Sequence, residues 1–207
     1  MLIGIGGDLG SGKTLTLTYI GLKYLLEEGK TIYSNYHLNF PHTRVYAIKQ
    51  MNHMNDGVFL ADELWTWLDC RTSQKAVNKG SSLLLAKSRK KGLDVIWTAQ
   101  LLSSLDKRPR RMTQKFIYPQ LLPSDAHPKL CRGQITDRHD KPMGSVMFRP
   151  NLIFPLYDTE EEVNPPAEFY EDIIKTATGK NYKVSEKEYY DIVNGVSDIQ
   201  DIIMEND

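Results

Sequence analysis

The chain has 207 residues, 41% apolar and 25% charged, which suits one globular domain with or without appendages. No run approaches the roughly 18 consecutive apolar residues of a spanning helix. The start, MLIGIGG, lacks a basic region and a cleavage site, and Cys70 and Cys131 are too few for a disulfide framework, so membrane insertion and secretion are not expected. The formal net charge is zero but divided: residues 158–207 carry 14 acidic and 4 basic side chains, whereas Arg71 to Arg132 carries 14 basic and 3 acidic. Such a basic segment is either a solvated face or a surface for a polyanion.

In chain order, Leu2 to Ile5 reads as a short buried strand running into the glycine-rich loop Gly6 to Gly12. Leucines and isoleucine from Leu15 to Leu26 recur at helical spacing up to Gly29, a helix stop. Thr31 to Ser34, Val45 to Ile48, Val58 to Ala61 and Val95 to Thr98 are expected strands, and Gln74 to Lys91 a helix closed by Gly92. Strands alternating with helices imply an α/β fold with a mostly parallel sheet between helices. Beyond about residue 112 the pattern becomes β-rich: strands at Lys115 to Tyr118, Leu130 to Thr136 and Ser145 to Phe148, with Arg138 to Lys141 as a hairpin tip. After Pro165-Pro166, two helical patterns, Phe169 to Thr176 and Glu186 to Val193, form an acidic appendage. The expected division is 1–160 for the core with its β-rich extension and 161–207 for the appendage.

Gly7-Asp8-Leu9-Gly10-Ser11-Gly12-Lys13-Thr14 matches G-x-x-x-x-G-K-[ST] in full. Glycines let successive backbone N–H groups turn inward around phosphates, and the following helix adds its positive N-terminal end. Lys13 is expected on the β- and γ-phosphates of ATP, and the Thr14 hydroxyl on Mg²⁺. Val58 to Ala61 ends in Asp62-Glu63 at the sheet edge where α/β proteins bind ligands. That places Asp62 beside Mg²⁺ and makes Glu63 the base for an attacking water, with a helix N-cap as the plainer alternative. Gln100, just past the Val95 to Thr98 strand, has an amide able both to donate to the γ-phosphate and to accept from water. The cluster at Lys87 to Lys91 reads as a helix end, and Lys107-Arg108-Pro109-Arg110-Arg111 as a loop; either an arginine finger or contacts to DNA phosphates would use them. Trp65-Thr66-Trp67 reads as packing, and His127, Cys131 and His139 have no trusted metal spacing.

Together, Gly7 to Thr14, Val58 to Glu63 and Ala86 to Gln100 resemble the FtsK–HerA superfamily of DNA-pumping ATPases, in which a basic residue and glycine lead into an apolar strand closed by Thr-x-Gln. Leu156 to Glu160 is similar to a stretch in genome-packaging ATPases of membrane-containing double-stranded DNA viruses, nearest those of archaeal turreted icosahedral viruses. Zonula-occludens-toxin-like phage assembly ATPases share much of the pattern. The resemblance covers about residues 1–160. It implies a RecA-like core in which the strand ending at Thr98 lies between the P-loop strand and the Asp62 strand. It also implies Arg89 as a trans-acting arginine, Arg108, Arg110 and Arg111 on DNA, and a ring of five or six subunits. The expected partners are double-stranded DNA and capsid vertex proteins, in the host cytoplasm or at the virion vertex. The rivals are a small P-loop kinase and a non-catalytic nucleotide-binding assembly protein. A switch GTPase is disfavoured because no N-K-x-D motif is present.

Overall fold

The computed structural model describes residues 1–67, 88–100, 107–123 and 127–206. The strands are β1 (Leu2–Gly6), β2 (Thr31–Ser34), β3 (Thr43–Arg44), β4 (Gly57–Ala61), β5 (Leu93–Ala99), β6 (Lys115–Leu122), β7 (Leu130–Asp137) and β8 (Pro142–Phe148). They form one sheet in the order β3-β2-β4-β5-β1-β6-β7-β8. The first six are parallel, and β7 and β8 run antiparallel as a hairpin on β6. β1 and β4 are buried at every residue, as parallel strands covered on both faces must be. β5 does lie between β4 and β1, so the expected strand order holds.

One face is covered by α1 (Lys13–Glu28), whose Leu15 and Leu17 pack on Ile3, Ile5, Val58, Leu60, Ile96 and Ile117. Gly29, at φ 62°, closes α1 by donating to the Leu25 carbonyl, while Lys30 N–H reaches Tyr24. On the other face Phe59, Val95, Trp97 and Phe116 pack against Val45, Ile48, Met51, Leu64 and Trp67. Trp97 is fully buried and donates its indole N–H to Thr113 Oγ1 at 3.1 Å. Burying such a side chain contributes on the order of 1.5–3 kcal/mol.

Three local expectations need correction. Val45 to Ile48 is not a strand: after β3 the chain turns into a 3-10 helix, Ile48–Asn52. Val45 N–H still donates to the Ser34 carbonyl of β2 at 2.8 Å, but the donors after it are taken by side chains, since Gln50 Oε1 accepts from Tyr46 and Ala47 and the Glu168 carboxylate accepts from Ile48 and Lys49, all at 2.9 Å. The basic segment at 107 is not a loop but a short helix, α2 (Lys107–Met112). Pro109 fits there because the first N–H groups of a helix have no intrahelical acceptor. Most of the helix expected from Gln74 falls outside the described residues, and its last part, Ser88–Lys91, is a 3-10 turn.

The acidic tail holds three helices where two were expected: α3 (Ala167–Thr178), α4 (Glu186–Val193) and α5 (Ile199–Asn206). They share a small core of Ala167, Ile174, Val184 and Tyr189 that includes Ala47 of the main body. Among the described residues, no helix is long and apolar enough to cross a membrane.

Candidate functional site

The loop between β1 and α1 carries Gly7, Gly10 and Gly12 at φ 149°, 75° and 92°, a backbone path that L side chains rarely adopt. At Gly12 a Cβ would also stand 3.3 Å from Leu121 Cδ2, so glycine is needed for both path and space. Gly12 caps α1 without any side-chain hydrogen bond, and the first turn holds no acid. The helix thus presents its positive end to the loop uncompensated. Lys13 is buried and reaches back 3.0 Å to the Asp8 carbonyl. The Ser11 hydroxyl is buried without a hydrogen-bond partner. An anion in the loop would satisfy these groups, and a triphosphate fits.

The end of β4 meets this loop across β5. Asp62 is buried, and Thr14 Oγ1 donates to its two oxygens at 3.2 and 3.0 Å. Thr98 Oγ1 donates to Asp62 Oδ1 at 2.5 Å and accepts the Glu63 N–H at 2.8 Å. Asn35, just past β2, clamps the Asp62 backbone from both sides, accepting its N–H and donating to its carbonyl at 2.8 Å. Burial pushes the Asp62 carboxyl up from 3.8 to about 6, aided by the Glu63 charge and opposed by the hydrogen bonds from Thr98 and Thr14 and by Lys13. A buried carboxylate beside a threonine hydroxyl is an all-oxygen donor pair, which suits Mg²⁺ held jointly by protein and phosphate oxygens.

Glu63 itself adopts the left-handed conformation, φ 43° and ψ 50°. Its Oε2 accepts the Trp65 indole N–H at 2.6 Å, and its carbonyl accepts from Thr66. Trp65 therefore holds Glu63, whereas Trp67 is the packing residue, buried against Phe59. Lys13, Thr14, Asp62 and Glu63 line one cavity of about 340 Å³ with Leu9, Gly10, Gly12, Tyr36 and Leu121. Its far wall is Phe154, Tyr157, Asp158, Thr159 and Glu161 from the chain after β8. This strap is tied down by a Leu38–Tyr157 bridge, by Asn39 N–H to the Leu156 carbonyl at 2.8 Å, and by Glu161 accepting from His37 N–H and pairing with Arg44.

No family model matches the chain. It is 30% identical over 125 residues to the uncharacterized protein ORF2 of Spiroplasma virus SpV1-R8A2 B, a match covering 55% of this chain and 36% of that protein. Thus the chain spans about a third of its curated relative. Among solved structures, the N-terminal domain of zonular occludens toxin from Neisseria meningitidis superposes with a TM-score of 0.52 at 15% identity, covering 76% of this chain and 98% of that domain. The genome-packaging NTPase B204 of Sulfolobus turreted icosahedral virus 2, in complex with AMP, gives 0.50 at 10% identity, covering 72% and 96%. The fold is that of P-loop NTPases.

Within that fold the other sequence-derived residues fall at two edges. Gln100 is exposed at the end of β5, on the cavity's edge of the sheet but not among the cavity-lining residues. Arg89 sits in the 3-10 turn before β5, and because β5 is parallel to β1 its backbone lies at the edge opposite the P-loop. Lys91, beside it, is a structural pin that donates to the Met51 and Asn52 carbonyls. Arg108, Arg110 and Arg111 lie on α2, just before the start of β6, again opposite the P-loop. Sequence reasoning missed Asn35, took Trp65 as packing, quoted Leu156 to Glu160 for a resemblance without placing it on the cavity, and gave Thr98 no role although the Thr-x-Gln pattern contains it.

Proposed function

We propose that this chain is an ATP-hydrolysing motor of the FtsK–HerA type that moves DNA during virus assembly, with packaging of duplex DNA into a capsid as one form of that work, to be decided by which strand form the protein prefers. The observation that carries this reading is the convergence of Thr14 and Thr98 on buried Asp62 at the mouth of a full P-loop, with Glu63 held on the same cavity. Lys13 and the loop N–H groups bind the phosphates of ATP. Thr14 and Asp62 hold Mg²⁺, which supplies charge neutralisation on those phosphates when bound. Glu63, positioned by Trp65, orients and deprotonates water, and Gln100 senses the γ-phosphate from the end of β5. Arg89, remote from the P-loop of its own chain, serves a neighbouring subunit in a ring of five or six, set against capsid vertex proteins.

An assembly ATPase of zonula-occludens-toxin type is the second reading. The toxin's N-terminal domain superposes about as well as the packaging NTPase, with TM-scores of 0.52 and 0.50, so the likeness in fold supports both readings alike. In the test, ATP hydrolysis is measured with and without DNA for wild type, Glu63→Gln and Lys13→Ala. Glu63→Gln should keep ATP binding while turnover drops roughly 10²-fold or more, the scale of a lost general base, and Lys13→Ala should weaken both. Near-wild-type hydrolysis by Glu63→Gln would remove the base, and phosphoryl transfer to an added acceptor without DNA stimulation would favour a kinase.

A further inference from the structure

The sheet face opposite α1 is covered over β4, β5 and β1, but over β6–β8 Gln120, Arg132, Gln134, Ser145 and Met147 are exposed on it. Two hollows of about 740 and 490 Å³ lie there, and Tyr118 lines both. Arg110, Arg111 and Arg138 line the first, and Arg132 the second. Among the described residues none of these four arginines makes an ion pair, although Asp140 also lines the first hollow. The Arg110 Nε is buried without a hydrogen-bond partner, and Arg138 Nε meets only the His139 ring. Between the arginine ends, Tyr118 stands opposite Gln134, and Gln120 opposite Arg132, in the β6–β7 ladder.

We infer that this face is a groove for a single strand of nucleic acid, running from Arg110, Arg111 and Arg138 past Tyr118 to Arg132. Arginine forks suit phosphate oxygens, and their unpaired state leaves that capacity open. The run from Arg132 to Asp137 covers about 17 Å at ~3.3 Å per residue, long enough to follow several nucleotides of one strand. A half-buried tyrosine ring flanked by two glutamine amides offers stacking and edge contacts to unpaired bases. A duplex keeps its bases inside and would leave Tyr118, Gln120 and Gln134 unused. The groove rests on the DNA-motor reading for its use, but its binding is measured without ATP, and a strand preference removes the duplex-packaging form.

The experiment follows fluorescence anisotropy of a labelled oligothymidylate of about 20 nucleotides, and of a duplex of equal length, over a salt series. Wild type should bind the single strand tighter. Arg132→Gln with Arg138→Gln should weaken it by about tenfold and lower the log–log salt slope by about 1.4, or ~0.7 per lost phosphate contact. Tyr118→Leu, which keeps an apolar side chain there, should weaken it by roughly tenfold with little change in slope. Should Tyr118→Leu fail to fold, the surface arginine pair alone decides. Unchanged affinity and slope in the double variant overturns the groove, as does duplex binding as tight as single-strand binding. Arginine-dependent binding by a chain that does not hydrolyse ATP keeps the groove and removes the motor. DNA-stimulated hydrolysis indifferent to these variants does the reverse.

Discussion

Replacing Asp62 with asparagine should stabilise the nucleotide-free protein at alkaline pH while abolishing hydrolysis. The side chain keeps its shape, and an amide oxygen in the Oδ1 position still accepts from Thr98 and Thr14, which now hold the carboxylate. What changes is the charge. Burial lifts the carboxyl from 3.8 to about 6, so the folded protein holds this proton more tightly than the unfolded chain. A raised carboxyl pKa gives stability that is complete at low pH and lost as pH rises through the folded value. Linkage puts the loss at about 1 kcal/mol at pH 4.5 and about 3 kcal/mol at pH 8. An asparagine loses nothing, so the stability difference between Asp62→Asn and wild type should grow by about 2 kcal/mol between those pH values. For a chain of this size that is about 4–8 °C. Thermal melts of both proteins at the two pH values, without nucleotide or Mg²⁺, provide the measurement. A difference in melting point that stays the same at pH 4.5 and pH 8 would refute the electrostatic argument.

Trp65→Phe keeps an aromatic ring but removes the donor to Glu63, so kcat should fall by roughly 10- to 150-fold, the equivalent of the ~1.5–3 kcal/mol of a hydrogen bond to a charged group. ATP affinity should hold; a change in KM alone would count against a positioning role. For Arg89, subunits carrying Arg89→Ala mixed with Lys13→Ala subunits should recover part of the DNA-stimulated hydrolysis that each lacks alone. Such recovery reports an arginine acting across a boundary, an effect worth roughly 10³–10⁵ in rate where it operates. No recovery despite demonstrated co-assembly would sink the trans role.

The phosphate loop was legible in the sequence because its geometry is local: three glycines at fixed offsets dictate a backbone path within eight residues. The carboxylate pair was legible for a similar reason, an apolar run followed directly by Asp62-Glu63. What escaped depends on contacts between distant residues. Asn35 meets Asp62 across 27 positions, and Glu168 turns the backbone at Ile48 from 120 positions away, so neither leaves a periodic trace. Trp65 escaped differently. Its two-residue distance from Glu63 is visible, but only the left-handed backbone at Glu63 brings the indole N–H onto the carboxylate. The helix at Lys107–Met112 was hidden by Pro109, which is tolerated only because it falls in the first turn.

Strand β6 touches both ends of the molecule. Near its finish, Leu121 crowds Gly12 of the phosphate loop, and near its start Phe116 lines the arginine hollow. It is hydrogen-bonded to β1 on one side and to β7 on the other. Eight residues of strand make a strut of about 26 Å with no joint along its length. One continuous strand therefore sets the distance between the phosphate loop and the arginine hollow, so neither can shift along β6 without the other.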